Sequence, residues 1–501
     1  MKVAMCSMEA VPFSKTGGLG DVVGALPAFL KKQGVECIVI MPYCKRIFEK
    51  SGNWEFSLIK KDIDISFNWG QKEVFDVLSS EVIFPGNNSV TYYFIKNDKF
   101  FDRENLYGVS EKDYEDNDRR FSFFSKSILY LLKSINYRAE VIHLNDYHCG
   151  LTPVFLRHFK RNSISNESFF GSTGSVFTIH NLAYQGIYER NILTYCELGD
   201  QYFNIDALEY YGKVNFMKGG ILFSEKVTTV SPTYAKEILR PEYGYGLDGV
   251  LRTREKDLVG IINGLDYSVW NPETDRKIKS NYSVGNLGGK RDCKIHLVKK
   301  MFGLEKVSKP VLGVVSRLSE QKGIDLVVDI LDVLMQEDIY LVTLGSGDER
   351  YTKMLIESEK RYTDRMRVNV KYDDELARMI YAGSDIFLMP SRYEPCGLSQ
   401  LISLKYGTVP VVRDTGGLSD TVKDINNEGD ITKGGTGFKF KDFAGSDFLN
   451  AISRALSFYR KKDLWERIIE NGMRSDFSWE NSASKYKRLY LDLRKDIKAK
   501  A

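Results

Sequence analysis

The sequence is poor in cysteine, and its few cysteines form no recognisable pattern. Seven cysteines occur in 501 residues, and no two of them form a C-x-x-C pair. An odd number without such a pair argues against a disulfide framework and against a structural zinc site. We therefore expect a protein of a reducing compartment.

Long hydrophobic runs and an excess of one charge are also missing. No apolar stretch approaches the roughly 20 residues needed to cross a bilayer, and no basic region followed by a signal-type apolar segment opens the chain. The 71 basic and 67 acidic side chains nearly cancel, leaving a net charge of +4. We expect a soluble, cytoplasmic protein with neither a membrane nor a nucleic acid as its partner.

The length and the order of predicted elements indicate two α/β lobes. A chain of 501 residues exceeds what one hydrophobic core usually supports. A β-loop-α-β unit opens it, with strands over residues 2–7 and 36–41 and a helix over 21–33. Strands and helices alternate again from residue 257, beginning with a strand over 258–262. This restart predicts a second Rossmann-like lobe, joined to the first near residues 240–290.

Each lobe carries a Gly-rich turn closely preceded by a strand-like run. The first contains Gly17, Gly18 and Gly20, and the second contains Gly416 and Gly417. Glycines let backbone N–H groups approach phosphate oxygens, although close helix–strand packing explains them equally well. A dehydrogenase would need an acidic residue at the end of the second strand, which is absent, and neither turn fits the Walker pattern. The turns therefore favour another nucleotide chemistry.

The second lobe supplies cations and a carboxylate at its strand ends. Arg317 and Lys322 follow one predicted strand, and Glu394 follows another. A planar guanidinium and a compact ammonium suit a departing diphosphate, while a carboxylate can accept hydrogen bonds from sugar hydroxyls. Solvated surface charges are the alternative explanation for the two cations.

Several motifs in order resemble those of the bacterial glycogen synthases and plant starch synthases. The resemblance runs over nearly the whole chain, and it is carried by residues 15–21, 180–186, 231–235, 263–266, 316–318, 321–323 and 394–398. It implies an α/β protein of GT-B architecture, with two Rossmann-like domains facing one another across a deep cleft. It implies an N-terminal domain over residues 1–250, a C-terminal domain over 258–478, and a C-terminal helix over 479–501 that returns to the first domain.

The resemblance also implies the reaction. Glucose is transferred from ADP-glucose, the donor substrate, to the non-reducing end of an α-1,4-glucan such as glycogen, with retention of the anomeric configuration. The family needs no metal and no cofactor. A GT-B transferase with another donor or acceptor, and a catalytically idle glucan-binding protein, are the competing functions.

Roles are carried over from the family by position. The residues implied for catalysis are His180, beneath the transferred glucose, Asp146, on the acceptor side, Arg317 and Lys322, on the diphosphate, and Glu394, on the sugar. The residues implied for donor binding are Lys15, Gly17, Gly18, Asn263, Tyr372, Cys396, Gly397, Leu398, Thr415, Gly416 and Gly417. Tyr372 resembles the family tyrosine that stacks on adenine.

Two residues depart from the family pattern. Asn145 stands where a second histidine is common, before Asp146, and Tyr147 stands where a tryptophan is common, after it. These departures leave the reaction intact and put the rate or the glucan preference in doubt. Product chain length, oligomeric state and regulation stay open.

Overall fold

The computed structural model describes residues 1–85, 88–109, 112–161, 169–371 and 373–500. The strands are β1 Lys2–Cys6, β2 Glu36–Pro42, β3 Ser57–Phe67, β4 Gln71–Phe84, β5 Asn88–Lys96, β6 Gly108–Val109, β7 Lys112–Asp113, β8 Val141–Asn145, β9 Gly174–Ile179, β10 Ile187–Tyr188, β11 Glu209–Tyr210, β12 Lys213–Asn215, β13 Lys226–Thr229, β14 Leu258–Gly260, β15 Val311–Val315, β16 Tyr340–Leu344, β17 Met366–Asn369, β18 Ile386–Met389, β19 Val409–Arg413 and β20 Phe438–Phe440.

Helices alternate with these strands. They are α1 Gly18–Lys32, α2 Lys45–Ser51, α3 Asp98–Phe101, α4 Asn117–Ser134, α5 Thr152–Arg161, α6 Ile192–Tyr195, α7 Phe216–Phe223, α8 Pro232–Glu237, α9 Pro241–Gly244, α10 Asp248–Thr253, α11 Gly288–Phe302, α12 Ile324–Leu334, α13 Glu349–Arg361, α14 Asp374–Gly383, α15 Ser399–Lys405, α16 Gly416–Thr421, α17 Glu428–Thr432, α18 Gly445–Tyr459, α19 Lys462–Arg474 and α20 Trp479–Lys500. No helix in these described ranges is long and apolar enough to cross a membrane.

The chain divides into two compact units. The first unit comprises Met1–Val230, Ala235–Gly264 and the segment that begins at Trp479, and the second comprises Ser231–Tyr234 and Leu265–Ser478. Each unit contains its own large sheet.

The sheet of the first unit has the order β14-β13-β9-β8-β1-β2-β5-β4-β3. Its strands from β14 to β5 are parallel, and β4 and β3 add an antiparallel edge. Strand β8 and β9 are buried along their whole length, as near-continuous apolar strands covered on both faces should be. From β1 the chain builds one side of the sheet and then returns to β8 on the other side. The carboxyl ends of β1 and β8 therefore form a topological switch point, where open α/β sheets bind ligands.

The C-terminal helix α20 belongs to the first unit. The hydroxyl of Tyr490 lies 2.7 Å from Nδ1 of the buried His143, in β8. Ser482 Oγ donates a hydrogen bond of 2.6 Å to the carbonyl oxygen of Ile262. The last helix thus packs on the sheet that the first residues of the chain begin.

The sheet of the second unit has the order β17-β16-β15-β18-β19-β20 and is parallel throughout. In chain order this is third, second, first, fourth, fifth and sixth, which is the Rossmann arrangement. Its switch point lies between β15 and β18. The predicted Rossmann-like organisation of both lobes is confirmed.

The predicted strand over residues 258–262 was placed in the wrong sheet. It corresponds to β14, whose residue Leu258 pairs with Val227 of β13 in the first unit. The alternation of apolar residues in a strand records which faces are buried, but it does not record the neighbour to which the strand hydrogen-bonds. For this reason the sequence alone does not indicate the sheet to which this short strand belongs.

Candidate functional site

The Gly-rich loop of the first unit is held by a buried glutamate that lies between β1 and the loop. Glu9 is 3% exposed, and its Oε2 accepts hydrogen bonds from the backbone N–H groups of Thr16 (2.5 Å) and Gly17 (3.3 Å). Its Oε1 accepts from Thr16 Oγ1 and from the Tyr107 hydroxyl, both at 2.5 Å. Burial and the neighbouring Glu9 carboxylate raise the pKa of Tyr107 well above its ordinary range, so this phenol stays a hydrogen-bond donor.

Glu9 was not predicted from the sequence, because the acidic residue expected of a dehydrogenase lies at the end of the second strand, where it binds ribose. The sequence feature that could have indicated Glu9 is a carboxylate between a first strand and its Gly-rich loop, because such a group can accept hydrogen bonds from the N–H groups of the loop. Glu9 thereby fixes the conformation of the loop from within the protein.

The glycines of this loop divide into two kinds. A Cβ atom at Gly17 or Gly18 would meet no heavy atom within 4 Å, whereas one at Gly20 would lie 3.2 Å from Lys15 Cβ and from the Ser14 carbonyl oxygen. Close packing therefore explains Gly20 but not the first two, whose exposed backbone leaves room for a ligand. Lys15 Nζ lies beside this surface and pairs with Asp21 at 2.7 Å.

Asp146 and His180 lie together after β8 and β9. The His180 backbone N–H donates a 2.7 Å hydrogen bond to Asp146 Oδ1. Asp146 has a φ of +59°, a left-handed conformation that is uncommon outside glycine and that is often found where function imposes it. The chain thus turns sharply at the end of β8 and directs the aspartate towards the end of β9.

Asn145 fixes the imidazole of His180. The ring Nε2 of His180 lies 2.9 Å from Asn145 Oδ1, and Asn145 Nδ2 donates to the carbonyl oxygen of Cys6 at 3.1 Å. Because that carbonyl can only accept, the amide oxygen of Asn145 must face the imidazole, and Nε2 must carry the proton. The departure from the family's histidine pattern therefore serves to orient His180.

Burial sets the charges of this pair. It raises the pKa of Asp146 from its ordinary 3.8 to about 7, with a further contribution from the charge of Glu9. It lowers the pKa of His180 to about 3. His180 is therefore neutral at neutral pH, while Asp146 titrates there.

Two further residues of the first unit that were singled out from the sequence are Tyr147 and Asn263. The second departure, Tyr147, packs under Gly186, where a Cβ would lie 2.3 Å from the Tyr147 ring. Asn263 is 4% exposed, and among the described residues its Oδ1 has no hydrogen-bond partner. A buried amide oxygen without a partner is costly in a protein alone, and a ligand donor would satisfy it.

The switch point of the second unit brings Arg317, Lys322 and Glu394 to adjoining loops. Lys322 Nζ lies 2.5 Å from Glu394 Oε2, and the two side chains are 16% and 6% exposed. Ser391 Oγ donates to the same oxygen at 3.0 Å. In the part of the chain that the structure describes, Glu394 Oε1 accepts no hydrogen bond, which leaves it available to a ligand hydroxyl.

Arg317 is exposed at the end of β15 and has no carboxylate partner within the described ranges. Its guanidinium donates only a long hydrogen bond of 3.3 Å to Gln321 Oε1. The alternative of a solvated surface charge is compatible with this exposure. Its position at the switch point favours an anion-binding role instead.

The second Gly-rich loop packs against the segment that follows Glu394. The Gly417 N–H donates to the Glu394 carbonyl oxygen at 3.0 Å, and a Cβ at Gly417 would lie 2.0 Å from the Cys396 carbonyl oxygen. Only glycine permits this approach.

The other predicted donor-binding residues of this unit have different surroundings. Gly397 and Gly416 have φ angles of +75° and +45°, and Thr415 and Cys396 are buried. Leu398 packs on the hydrophobic core, so its side chain supports the fold. Tyr372 lies outside the described residues. In the described part of the chain, no group of His, Cys, Asp and Glu side chains could hold a metal ion.

Comparisons with known proteins agree with this fold. A family model described as the starch synthase catalytic domain matches residues 2–253, and one described as glycosyl transferases group 1 matches residues 299–474. The glycogen synthase of Thermotoga maritima is 44% identical over 494 residues, with 98% of each chain covered. That of Geotalea daltonii is 44% identical over 493 residues, again with 98% of each covered.

Two solved structures are similar to this fold. The catalytic domain of starch synthase IV from Arabidopsis thaliana, bound to ADP and acarbose, has a TM-score of 0.87 at 32% identity and covers 99% of both chains. Sucrose-phosphate synthase from Thermosynechococcus elongatus has a TM-score of 0.58 at 17% identity, with 98% of both chains covered. The second likeness concerns the fold alone.

The two Rossmann-like domains, with polar and cationic side chains at each switch point, define a glycosyltransferase of the GT-B type. The chain belongs to the family of the bacterial glycogen synthases and plant starch synthases. It elongates an α-1,4-glucan by glucosyl transfer, from a nucleotide-sugar donor to a glucan acceptor.

Proposed function

We propose that the donor is ADP-glucose, and that the glucose is added to the non-reducing end of the glucan with retention of configuration. The observation that carries the proposal is the pairing of Lys322 with Glu394 at the switch point that also carries Arg317, which has no carboxylate partner among the described residues. Two cations next to a half-satisfied carboxylate suit a ligand that carries both a diphosphate and sugar hydroxyls. The starch synthase IV structure with bound ADP supports an adenine nucleotide.

In this proposal the second unit binds the donor. Arg317 and Lys322 neutralise the diphosphate as negative charge develops on it during departure. Glu394 Oε1 accepts a hydrogen bond from a glucose hydroxyl, while its Oε2 stays on Lys322 and Ser391. In the Thr415-Gly416-Gly417 loop, the N–H groups of Thr415 and Gly417 donate to the carbonyl oxygens of Arg413 and Glu394, so the loop shapes the donor pocket, and no metal or cofactor takes part.

The first unit contributes the remaining groups. Lys15 and the open amides of Gly17 and Gly18 contact the distal phosphate or the donor sugar. The neutral His180 lies beneath the transferred glucose, and Asn263 offers its unpartnered oxygen to the sugar. Asp146 accepts a hydrogen bond from the glucan hydroxyl that attacks.

Retention follows in this proposal from attack on the face from which the diphosphate leaves. A covalent route would need a carboxylate free to attack the anomeric carbon. One oxygen of Glu394 is engaged by Lys322 and Ser391, which favours a binding role over a nucleophilic one.

The test is incorporation of labelled glucose into glycogen from ADP-glucose or UDP-glucose. We expect label from ADP-glucose in α-1,4 linkage at chain ends, released as maltose by an enzyme that removes maltose from non-reducing ends. An Arg317→Ala sample prepared identically controls for contaminating synthases. Faster transfer from UDP-glucose would contradict the donor assignment, and glycogen binding without transfer from either donor would indicate a non-catalytic protein.

The pH dependence of transfer tests Asp146. Its pKa of about 7 predicts a rate that rises from about pH 6 to about pH 8, because only the carboxylate accepts the hydrogen bond of the attacking hydroxyl. Asp146→Asn should lower the rate and remove this rise. His180 cannot cause it, because its pKa is lowered to about 3.

Stability should change in the opposite direction. Asp146 has a folded-state pKa above its ordinary 3.8, so its contribution is present below that value and is lost as the pH rises through about 7. Thermal unfolding of the wild type and of Asp146→Asn between about pH 4 and pH 7 measures this difference, because the contribution is lost between the ordinary and the raised pKa. A rate profile that is identical in both proteins would exclude Asp146 from the acceptor side.

The cytoplasmic location stays a prediction, as do the absence of a cofactor and the absence of nucleic-acid and membrane partners. The cysteines of the described ranges are all free thiols, which is compatible with a reducing compartment.

A further inference from the structure

The tight turn between β3 and β4 presents a tryptophan to solvent. Trp69 is 69% exposed, and both Asn68 and Trp69 have left-handed φ angles, of 49° and 56°. Asparagine tolerates this conformation, but a tryptophan does so at a cost in free energy. Such strain is typical of positions that function retains.

Hydrogen bonds hold this turn in one conformation. The Trp69 N–H donates to Glu197 Oε1 at 3.1 Å, and the Asn68 N–H donates to the Tyr195 carbonyl oxygen at 2.8 Å. Glu197 is in turn anchored by the buried Lys126, whose Nζ lies 2.9 Å from its Oε2. The exposed indole is therefore presented by a fixed backbone, and binding to it costs little ordering entropy.

A cavity of about 310 Å³ adjoins the turn. Residues on both sides of Trp69 line it, together with residues at the ends of α4 and α6. The residues that line the cavity include Asn68, Gln71, Arg119, Asn191, Thr194 and Tyr195. Its volume lies at the small end of the range of about 300–1,000 Å³ that is common for small-molecule pockets.

The lining suits a neutral polyol. Carboxamides and a hydroxyl both donate and accept hydrogen bonds, as neighbouring sugar hydroxyls require. Glu73, which also lines the cavity, is neutralised by Lys99 at 2.5 Å. Among the described residues, the Tyr195 hydroxyl is enclosed without a hydrogen-bond partner.

The Arg119 guanidinium lies 5.4 Å from the centre of the Tyr195 ring. It has no carboxylate partner in the part of the chain that the structure describes, so its N–H donors are available to a ligand. The flat, exposed Trp69 indole adds an apolar surface on which the C–H face of a sugar ring can stack.

We propose that this turn and cavity form a second binding site for the α-1,4-glucan. The site lies at the antiparallel edge of the first unit's sheet, where β2 and β5 separate it from β1 and the switch point. The proposal rests on the glucan elongation of the family and does not depend on the identity of the donor. A polymer bound there stays near the protein between transfers, which raises its effective concentration at the reacting site.

The test variant is Trp69→Asn, because asparagine adopts the left-handed turn without strain and removes only the indole. We expect the dissociation constant for glycogen, measured by electrophoresis in glycogen-containing gels, to rise by about fivefold or more, since a tenfold change needs only about 1.4 kcal/mol. The KM for glycogen should rise in parallel. Turnover with maltotriose, which is a short acceptor rather than a polymer, should stay within about twofold of wild type.

Ile83→Ala is the matched control. Ile83 is 75% exposed and lies at the opposite end of β4 from the turn, where it pairs with Ser89 of β5, and an aliphatic side chain offers no flat ring to a sugar. We expect its glycogen affinity to be unchanged. Arg119→Ala tests the cavity independently of the turn and should weaken glycogen binding as Trp69→Asn does.

Three outcomes would overturn the proposal. Unchanged glycogen affinity in Trp69→Asn would remove the site, and an equal loss in Ile83→Ala would assign the effect to exposed apolar side chains in general. If inorganic phosphate weakened the binding of the wild type to glycogen in these gels, and maltoheptaose did not, the cavity would be an anion site instead. Failure of transfer from ADP-glucose would contradict the donor assignment alone, because the binding measurements need no donor.

Discussion

Replacing Arg317 with alanine is expected to lower kcat for glucosyl transfer by about 10²–10³, with little change in the KM for glycogen. The guanidinium is exposed and makes one long hydrogen bond, to Gln321, so its loss should not disturb the fold. In the proposed reaction it neutralises a diphosphate whose charge increases in the transition state. A preorganised donor of this kind contributes about 2.7–4 kcal/mol to transition-state stabilisation.

The measurement is steady-state kinetics with ADP-glucose and glycogen, together with the inhibition constant of ADP. Arg317→Ala should weaken ADP inhibition as well, because product and leaving group share the same contact. Arg317→Lys should recover part of the rate, since an ammonium keeps the charge but loses the planar fork.

Arg460→Ala is the control for the loss of a surface arginine. The Arg460 side chain is 71% exposed and pairs with Glu337 at 3.3 Å in the same unit, and its loss should leave kcat unchanged. Turnover near that of the wild type in Arg317→Ala would remove this residue from the mechanism and restore the alternative of a solvated surface charge.

Glu394→Ala is expected to reduce transfer by about 10³ or more, because two contacts disappear together. The carboxylate neutralises Lys322 through Oε2, and Oε1 is available to the sugar. Removing it leaves a largely buried ammonium without its partner and a glucose hydroxyl without its acceptor. Glu394→Gln should recover part of the rate, since the amide oxygen can still accept a hydrogen bond at one of the two positions, while the amide NH2 group can only donate at the other.

Ser391→Ala separates these contributions. It removes only the 3.0 Å hydrogen bond from the serine hydroxyl to Glu394 Oε2, and we expect a loss of about 10-fold to about 10²-fold, smaller than in Glu394→Ala, because a hydrogen bond to a charged group contributes about 1.5–3 kcal/mol. Intact mass measurement of Glu394→Gln and of the wild type with a slow donor should detect no glucosyl-enzyme. A glucose adduct mapped to Glu394 would make this residue a nucleophile and would contradict the proposed binding role.

The candidate site residues of the second unit were more predictable from the sequence than those of the first. The residues Arg317, Lys322 and Glu394 follow strands whose apolar runs are unambiguous, and parallel strands bring such loops to one edge of a sheet. The distance of 2.5 Å between Lys322 Nζ and Glu394 Oε2 could not be predicted in this way, because the two residues lie far apart in the chain and belong to different loops.

The candidate site of the first unit was predicted only in outline. Residues 15–21 indicated a ligand-binding loop, but Glu9, which holds the loop, was overlooked. Two of the four donors to its carboxylate are backbone N–H groups, which leave no mark on the sequence, and the other two are the hydroxyls of Thr16 and Tyr107. The effect of Asn145 was likewise open until the contact with His180 assigned the proton to Nε2. Residue type gives the capacity to hydrogen-bond, and only the fold gives the partner.

By itself, the sequence determined two α/β lobes, a nucleotide-sugar chemistry and the segments that carry it, because these depend on local periodicity and on residue type. The tertiary structure decided which sheet contains β14, which glycines are open and which are packed, and which charges meet. It also decided that burial raises the pKa of Asp146 to about 7. These properties depend on contacts between distant residues and on the exclusion of water, and neither is encoded in any single segment of the chain.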